Sequence, residues 1–150
     1  MGQQQLLLVI LVTIIVGIAT VVAINTFGSA SKNANKSAVK QDLATIASDA
    51  QGYYMKPTQL GGGGHSFNGM NFENIGFGKK SNYNSTTNPT IVHNQNGTYQ
   101  IGTASGTGST AQITVTADPA QLNSYSQGST GNTTPSYTLT ITPNNFSISQ

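Results

Sequence analysis

The chain has no cysteine, no tryptophan and no arginine, and its six basic and four acidic side chains make up only 7% of 150 residues. The missing cysteine excludes a disulfide framework and thiolate metal sites. Charged residues fill about 25% of an average domain. Here six scattered lysines and a net charge of +2 give no basic patch, so no nucleic-acid partner is expected. The sequence pI near 9.0 reflects scarcity of charge, not a strong field. Reactive groups are equally sparse. His65 follows four glycines and His93 sits beside a turn, while Asp42, Asp49, Glu73 and Asp118 are scattered, without the close pairing that acid–base work needs. The Gly61–Gly64 run lacks the lysine and hydroxyl residue of a phosphate loop, and it follows a helical pattern where such a loop follows a strand. No catalytic residue, metal site or cofactor is expected, and the chain reads as a protein that is not an enzyme.

What the chain does have is one long oily stretch. Leu6–Ile24 is 19 residues without charge or proline, interrupted only by Thr13, Gly17 and Thr20, and the first charged side chain is Lys32. About 20 apolar residues span a bilayer core as a helix. A signal peptide wants a positive leader and a shorter apolar core, whereas Met1–Gln5 is uncharged. The segment is therefore expected to be retained, although Gly28-Ser29-Ala30 has the small residues of a cleavage site.

Beyond Ile24 the helical pattern continues and changes character. Val39, Leu43, Ile46, Ala47, Ala50, Tyr53 and Tyr54 recur at threes and fours, one stripe of an amphipathic helix. Lys32, Lys36 and Lys40 form a row off the stripe, and Asp42 and Asp49 lie elsewhere on the polar face. Pro57 supplies the stop. The spacing predicts a nearly continuous helix from Gln3 to about Tyr54, roughly 75–80 Å long. Residues 58–88 follow no helical or strand period. Phe67, Phe72, Phe77 and Tyr83 read as anchors of a long loop, and Gly61–Gly64 as a hinge or a close backbone approach.

From Pro89 the period becomes two. Thr90–His93, Thr98–Ala104, Gln112–Ala117 and Tyr137–Thr142 read as strands, with Asn145–Ile148 as a short edge candidate. Asn96-Gly97 signals a hairpin, and Asp118-Pro119 reads as a strand end. Three or four antiparallel strands would then have one apolar and one threonine-rich face. The expected fold is α+β, a long N-terminal helix whose amphipathic half covers this sheet, with Val39, Leu43, Ile46 and Tyr53 at the contact. Four segments result: an apolar helix at 1–30, its amphipathic half at 31–57, a connecting loop at 58–88 and a sheet domain at 89–150.

An uncharged apolar helix running into an amphipathic half, then a glycine-rich loop and an antiparallel sheet, resembles a type IV pilin or pseudopilin across the whole chain. The residues carrying the resemblance are Gln5 before Leu6–Ile24, the Val39–Tyr54 stripe and the strands after Pro89. If Met1 is the first mature residue, the pattern departs from the family in having Met1 and Gln5 where phenylalanine and glutamate are usual; it also has no proline near position 22 and no cysteine pair. The resemblance implies processing and N-methylation at Met1, or at Gln3 if the cut follows Gly2. It implies a filament core built from Gln5, Leu6, Leu7, Ile10, Ile14, Gly17 and Val21. Two readings of Gly17 stand: local melting of the helix in the filament, or a small residue admitting a close neighbour.

The expected function is that of the structural subunit, or major pilin, of an extracellular filament serving adhesion, motility or surface interaction. Its partners would be copies of itself, the membrane before assembly, a prepilin peptidase and the pilus assembly machinery. The alternatives are a pseudopilin of a type II secretion-like machine and a single-pass membrane-anchored binding module. Asn-x-Ser/Thr triplets occur at Asn35, Asn84, Asn96, Asn132 and Asn145. Asn84, Asn96 and Asn132 are the candidate sugar acceptors on an extracellular surface.

Overall fold

The computed structural model describes residues 1–79, 83, 89–120 and 137–150. Among these residues it is an α+β fold with one α-helix, α1 (Gly2–Met55), and five strands: β1 (Ile91–His93), β2 (Gly97–Ile101), β3 (Ile113–Pro119), β4 (Tyr137–Ile141) and β5 (Phe146–Ser149). The chain divides into two units, Met1–Ala34 and Asn35–Gln150.

In the first unit every residue of α1 is exposed. The hydroxyls that interrupt the oily run do not make it polar. Thr13 Oγ1 donates to Val9 O at 2.9 Å, Thr20 Oγ1 to Val16 O at 2.8 Å and Thr26 Oγ1 to Val22 O at 2.8 Å. Each threonine satisfies its donor one turn back along its own helix, leaving a methyl group outward.

The second unit holds the core. From Asn35 onward the stripe of α1 buries Val39, Leu43, Ile46, Ala47, Ala50, Tyr53 and Tyr54. The sheet is antiparallel throughout, in the order β1-β2-β3-β4-β5. Its register sets apolar residues side by side in rows: Val92, Tyr99, Ala117 and Tyr137; Ile101, Val115, Leu139 and Ile148; Ile113, Ile141 and Phe146. The first two rows join the helix stripe in one cluster with Ile113, Ile141, Phe67, Met70 and Phe72. The opposite face carries Gln100, Thr116, Thr138 and Ser149 in one row and Thr114, Thr140 and Ser147 in another. The two-residue period of a strand separates these sets.

Three details differ from the sequence expectation. The strands number five among the described residues, because Phe146–Ser149 pairs along β4 as the last strand. β3 ends at Asp118-Pro119 as read, but both residues belong to the strand, which runs past the expected Ala117 to Pro119, opposite Gly97. Pro119 lies past the β4 register, which covers Ile113–Ala117, and a strand end tolerates the missing N–H. β2 stops at Ile101 instead of continuing to Ala104.

Gly61–Gly64 is a helix cap. Gly63 N donates to Tyr53 O at 2.8 Å, His65 N to Tyr54 O at 2.9 Å and Gly64 N to Lys56 O at 3.0 Å. Carbonyls that a helix C-terminus leaves without partners are thus met by the loop folding back on them. A Cβ at Gly63 would lie 1.8 Å from Ser66 O and 2.8 Å from the Tyr53 ring.

Two stability measurements check this packing. Leu43→Ala should cost about 2–5 kcal/mol, the range for emptying a buried leucine site. Gly63→Ala should cost about 1–3 kcal/mol by overpacking. Chemical denaturation followed by circular dichroism reads both, and a neutral result at Leu43 would contradict the helix–sheet core.

Candidate functional site

Two surfaces stand out, one in each unit. The first is the apolar segment of α1. Gln5, Leu6, Leu7, Ile10, Ile14, Gly17 and Val21 are all exposed. Leu7, Ile10, Ile14, Gly17 and Val21 follow one another at threes and fours and so share one face. The other faces are equally oily: Val9, Val12, Ile15, Val16, Ile18 and Val22 are exposed too. A Cβ at Gly17 would meet nothing within 4 Å. Met1 and Gln3 are exposed at the start of the same segment. The helix is long and apolar enough to cross a membrane, and its most apolar window is 0% buried. A helix apolar all round is stable only inside lipid or among other helices.

The residues expected at the helix–sheet contact lie in the core of the second unit. Val39, Leu43 and Ile46 are fully buried and Tyr53 nearly so. The Tyr53 hydroxyl donates to Asn68 O at 3.1 Å. Asn84 and Asn132 lie outside the described residues.

The second surface is a polar knot around Asp42, which sequence reading left on the solvated face of the helix. One carboxylate oxygen, Asp42 Oδ2, accepts from Tyr99 OH at 2.6 Å, from Asn96 Nδ2 at 2.8 Å and from Asn94 Nδ2 at 2.9 Å. All three donors belong to β2 or to the turn that connects it to β1. Asn94 also organises the turn, its Oδ1 accepting from Asn96 N and Gly97 N, both at 2.9 Å. Asn96 O in turn accepts from Asn35 Nδ2 and from Ala120 N, both at 2.8 Å. Asn96, a candidate sugar acceptor, therefore has its amide nitrogen bound to a carboxylate, and a sugar would have to share that atom.

The Asn-Gly pair does form a hairpin, but without the left-handed backbone that such pairs usually supply. Neither Asn96 nor Gly97 has positive φ. Gly97 is required because a Cβ there would sit 2.2 Å from Asp118 O.

Burial and the Asp42 hydrogen bond push the Tyr99 hydroxyl well above the ordinary tyrosine range. The histidines are apart and separately engaged. His93 pairs with Thr98 Oγ1 at 3.1 Å, and burial lowers its pKa. The His65 ring stands edge-on to Tyr54 with centroids 5.4 Å apart. Among the described residues no three of His, Asp and Glu come together in a way that could hold a metal.

No family model, no curated protein and no solved structure matches this chain. The layout of a pilin, an apolar N-terminal helix leading into an antiparallel sheet domain, therefore rests on the architecture alone.

The Tyr99 bond makes a signed prediction. A tyrosine whose folded pKa is raised keeps its proton when the unfolded chain loses it, so its contribution is full below the unfolded value of about 10 and falls as pH rises beyond that. Stability should decline above about pH 10. Tyr99→Phe should lower stability at neutral pH by about 1.5–3 kcal/mol, the worth of a hydrogen bond to a charged group, and make the alkaline decline shallower. Urea titrations across neutral and alkaline pH check both.

Proposed function

We propose that this chain is the structural subunit, a major pilin, of an extracellular type IV pilus-like filament. The observation that carries the reading is the state of α1. Its first part exposes leucine, isoleucine and valine on every face, with no charged side chain before Lys32. Its last part has committed its single apolar stripe to the sheet. The exposed part must be surrounded on all sides, first by lipid and then by the same segment of other copies. Bundling of Leu6, Leu7, Ile10, Ile14, Gly17 and Val21 against their equivalents would form the filament core, with Gln5 supplying a hydrogen bond where the family usually places a carboxylate. Because the segment comes from lipid and not from water, packing and close approach at small residues such as Gly17, more than hydrophobic transfer, would drive association. Adhesion, motility or surface contact would fall to the sheet and loops. The precursor would reside in the cytoplasmic membrane and depend on a prepilin peptidase and an assembly motor.

Negative-stain microscopy of sheared surface material is the direct test. Thin fibres whose peptides map to this chain are expected. Recovery only as detergent-extracted monomers would favour a membrane-anchored binding module instead. Ile14→Lys should abolish fibres while leaving the Asn35–Gln150 core folded, since a lysine at the centre of a membrane helix costs about 2.5–3.5 kcal/mol. In the same material, N-terminal peptide mass should show methylation on Met1 or on Gln3. An unmodified start would count against pilin-type processing.

A further inference from the structure

The turn that binds Asp42 contains a chemically labile bond. In an Asn-Gly pair the glycine nitrogen can attack the asparagine side chain, because no Cβ on the following residue obstructs it. The Gly97 nitrogen would bond to Asn96 Cγ, the Cγ–Nδ2 bond would break, and ammonia would leave with the Gly97 proton. Water would then open the resulting succinimide to aspartate or isoaspartate. Asn96 is half-buried at the surface and lines a shallow hollow with Gly78, Lys79, Asn94 and Gln95, so water reaches it.

Every group this reaction must move is held. The N–H of the attacking nitrogen, Gly97 N, donates a hydrogen bond to Asn94 Oδ1 at 2.9 Å. The leaving nitrogen, Asn96 Nδ2, is held by Asp42 Oδ2 at 2.8 Å. The peptide plane between them is fixed at Asn96 O by Asn35 Nδ2 and Ala120 N. Asn94 is itself tied to the same Asp42 oxygen at 2.9 Å, so removing Asp42 loosens both the leaving group and the residue that occupies the nucleophile.

We propose that Asn96–Gly97 is a deamidation site held closed by Asp42, and that its conversion releases the β1–β2 turn from α1. The new carboxylate at position 96 has no proton to donate and faces Asp42 as a like charge. A tie between helix and hairpin becomes a repulsion, irreversibly. The protein would thereby carry a slow, age-dependent change in its own surface, whether or not it polymerises.

The chain contains its own control. Asn68–Gly69 is the other Asn-Gly pair. Asn68 is exposed and engages the protein through its backbone, accepting from Tyr53 OH and donating to Ser66 Oγ. The experiment is peptide mapping by mass spectrometry of the full chain in detergent, sampled during incubation in mildly alkaline buffer. In the native chain Asn68 should convert roughly tenfold or more faster than Asn96, since breaking one charge-assisted hydrogen bond raises a barrier by at least that factor. Asp42→Ala should bring Asn96 up to the Asn68 rate while leaving the Asn68 rate unchanged. Equal rates at the two sites in the native chain, or an unchanged ratio in Asp42→Ala, would overturn the proposal.

If Asp42→Ala unfolds, a charge exchange decides instead. Asn96→Asp should lower the denaturation midpoint, and adding Asp42→Asn should restore it by returning a donor–acceptor pair with the roles reversed. Failure of the double variant to recover would overturn the latch.

Discussion

The second unit depends on one constraint: a sheet with an apolar face must have that face covered. Inner rows centred on Tyr99, Val115 and Ile113 present aromatic and branched side chains across the strands. Among the described residues the Val39–Tyr54 stripe, Phe67, Met70 and Phe72 of the loop, and Ala111 join them in the core, with Ile75, Phe77, Tyr83 and Ala104 packed against it. The polar details serve that contact. The loop cap at Tyr53, Tyr54 and Lys56 ends the helix where the core ends. Gln51 Nε2 donates to Thr142 O at 3.2 Å, just past β4, and Asp42 ties the turn before β2. Helix and sheet are pinned at positions along the stripe, which fixes the register of the apolar residues between.

Those elements that repeat were readable from sequence. The seven stripe positions recur at helical spacing, and those seven are the buried residues of α1. Strand alternation in Ile113, Val115 and Ala117 and in Tyr137, Leu139 and Ile141 matches the burial of β3 and β4. Periodicity reports burial because a side chain's direction follows from its place in the repeat. Endpoints were less readable, because they are set by neighbours. Pro119 stays in β3 because Gly97 lies opposite it, and that neighbour comes from 22 positions earlier in the chain. Gly97 itself was correctly read as part of a hairpin, but the requirement it meets is clearance from Asp118 O, a contact that no turn propensity encodes.

The Asp42 knot was not readable at all, for a related reason. It joins one helical residue to Asn94, Asn96 and Tyr99, separated from it by 52, 54 and 57 positions. Polar residues at such distances carry no period, and asparagine is common along the chain, so nothing marks these two. Asp42 also adjoins Leu43, one of the fully buried stripe residues. A carboxylate at the margin of an apolar stripe is ordinarily solvated. Here it gathers three donors on one oxygen, among them the hydroxyl of a fully buried tyrosine. A buried hydroxyl without a partner is costly, so Tyr99 gives Asp42 a reason to sit where it does.

The same accounting explains why the two parts of α1 have different chemistry. In the second unit a stripe suffices, because the sheet lies on one side only, and the other faces carry Lys36, Lys40, Thr45 and Ser48. From Leu6 to Ile24 in the first unit no face is reserved for water. Within that run even the hydroxyls of Thr13 and Thr20 are turned onto backbone carbonyls, which satisfies side-chain donors that a bilayer or a dry bundle would penalise. A cover on one side would leave most of that surface wet. The segment therefore demands an enclosure that is apolar in every direction, and a lipid bilayer and a bundle of like helices are the two surroundings that supply it. In the filament proposed above, Gly17, open on its own helix, would admit a neighbouring backbone at close range, within the stretch where packing would have to replace the missing hydrophobic drive.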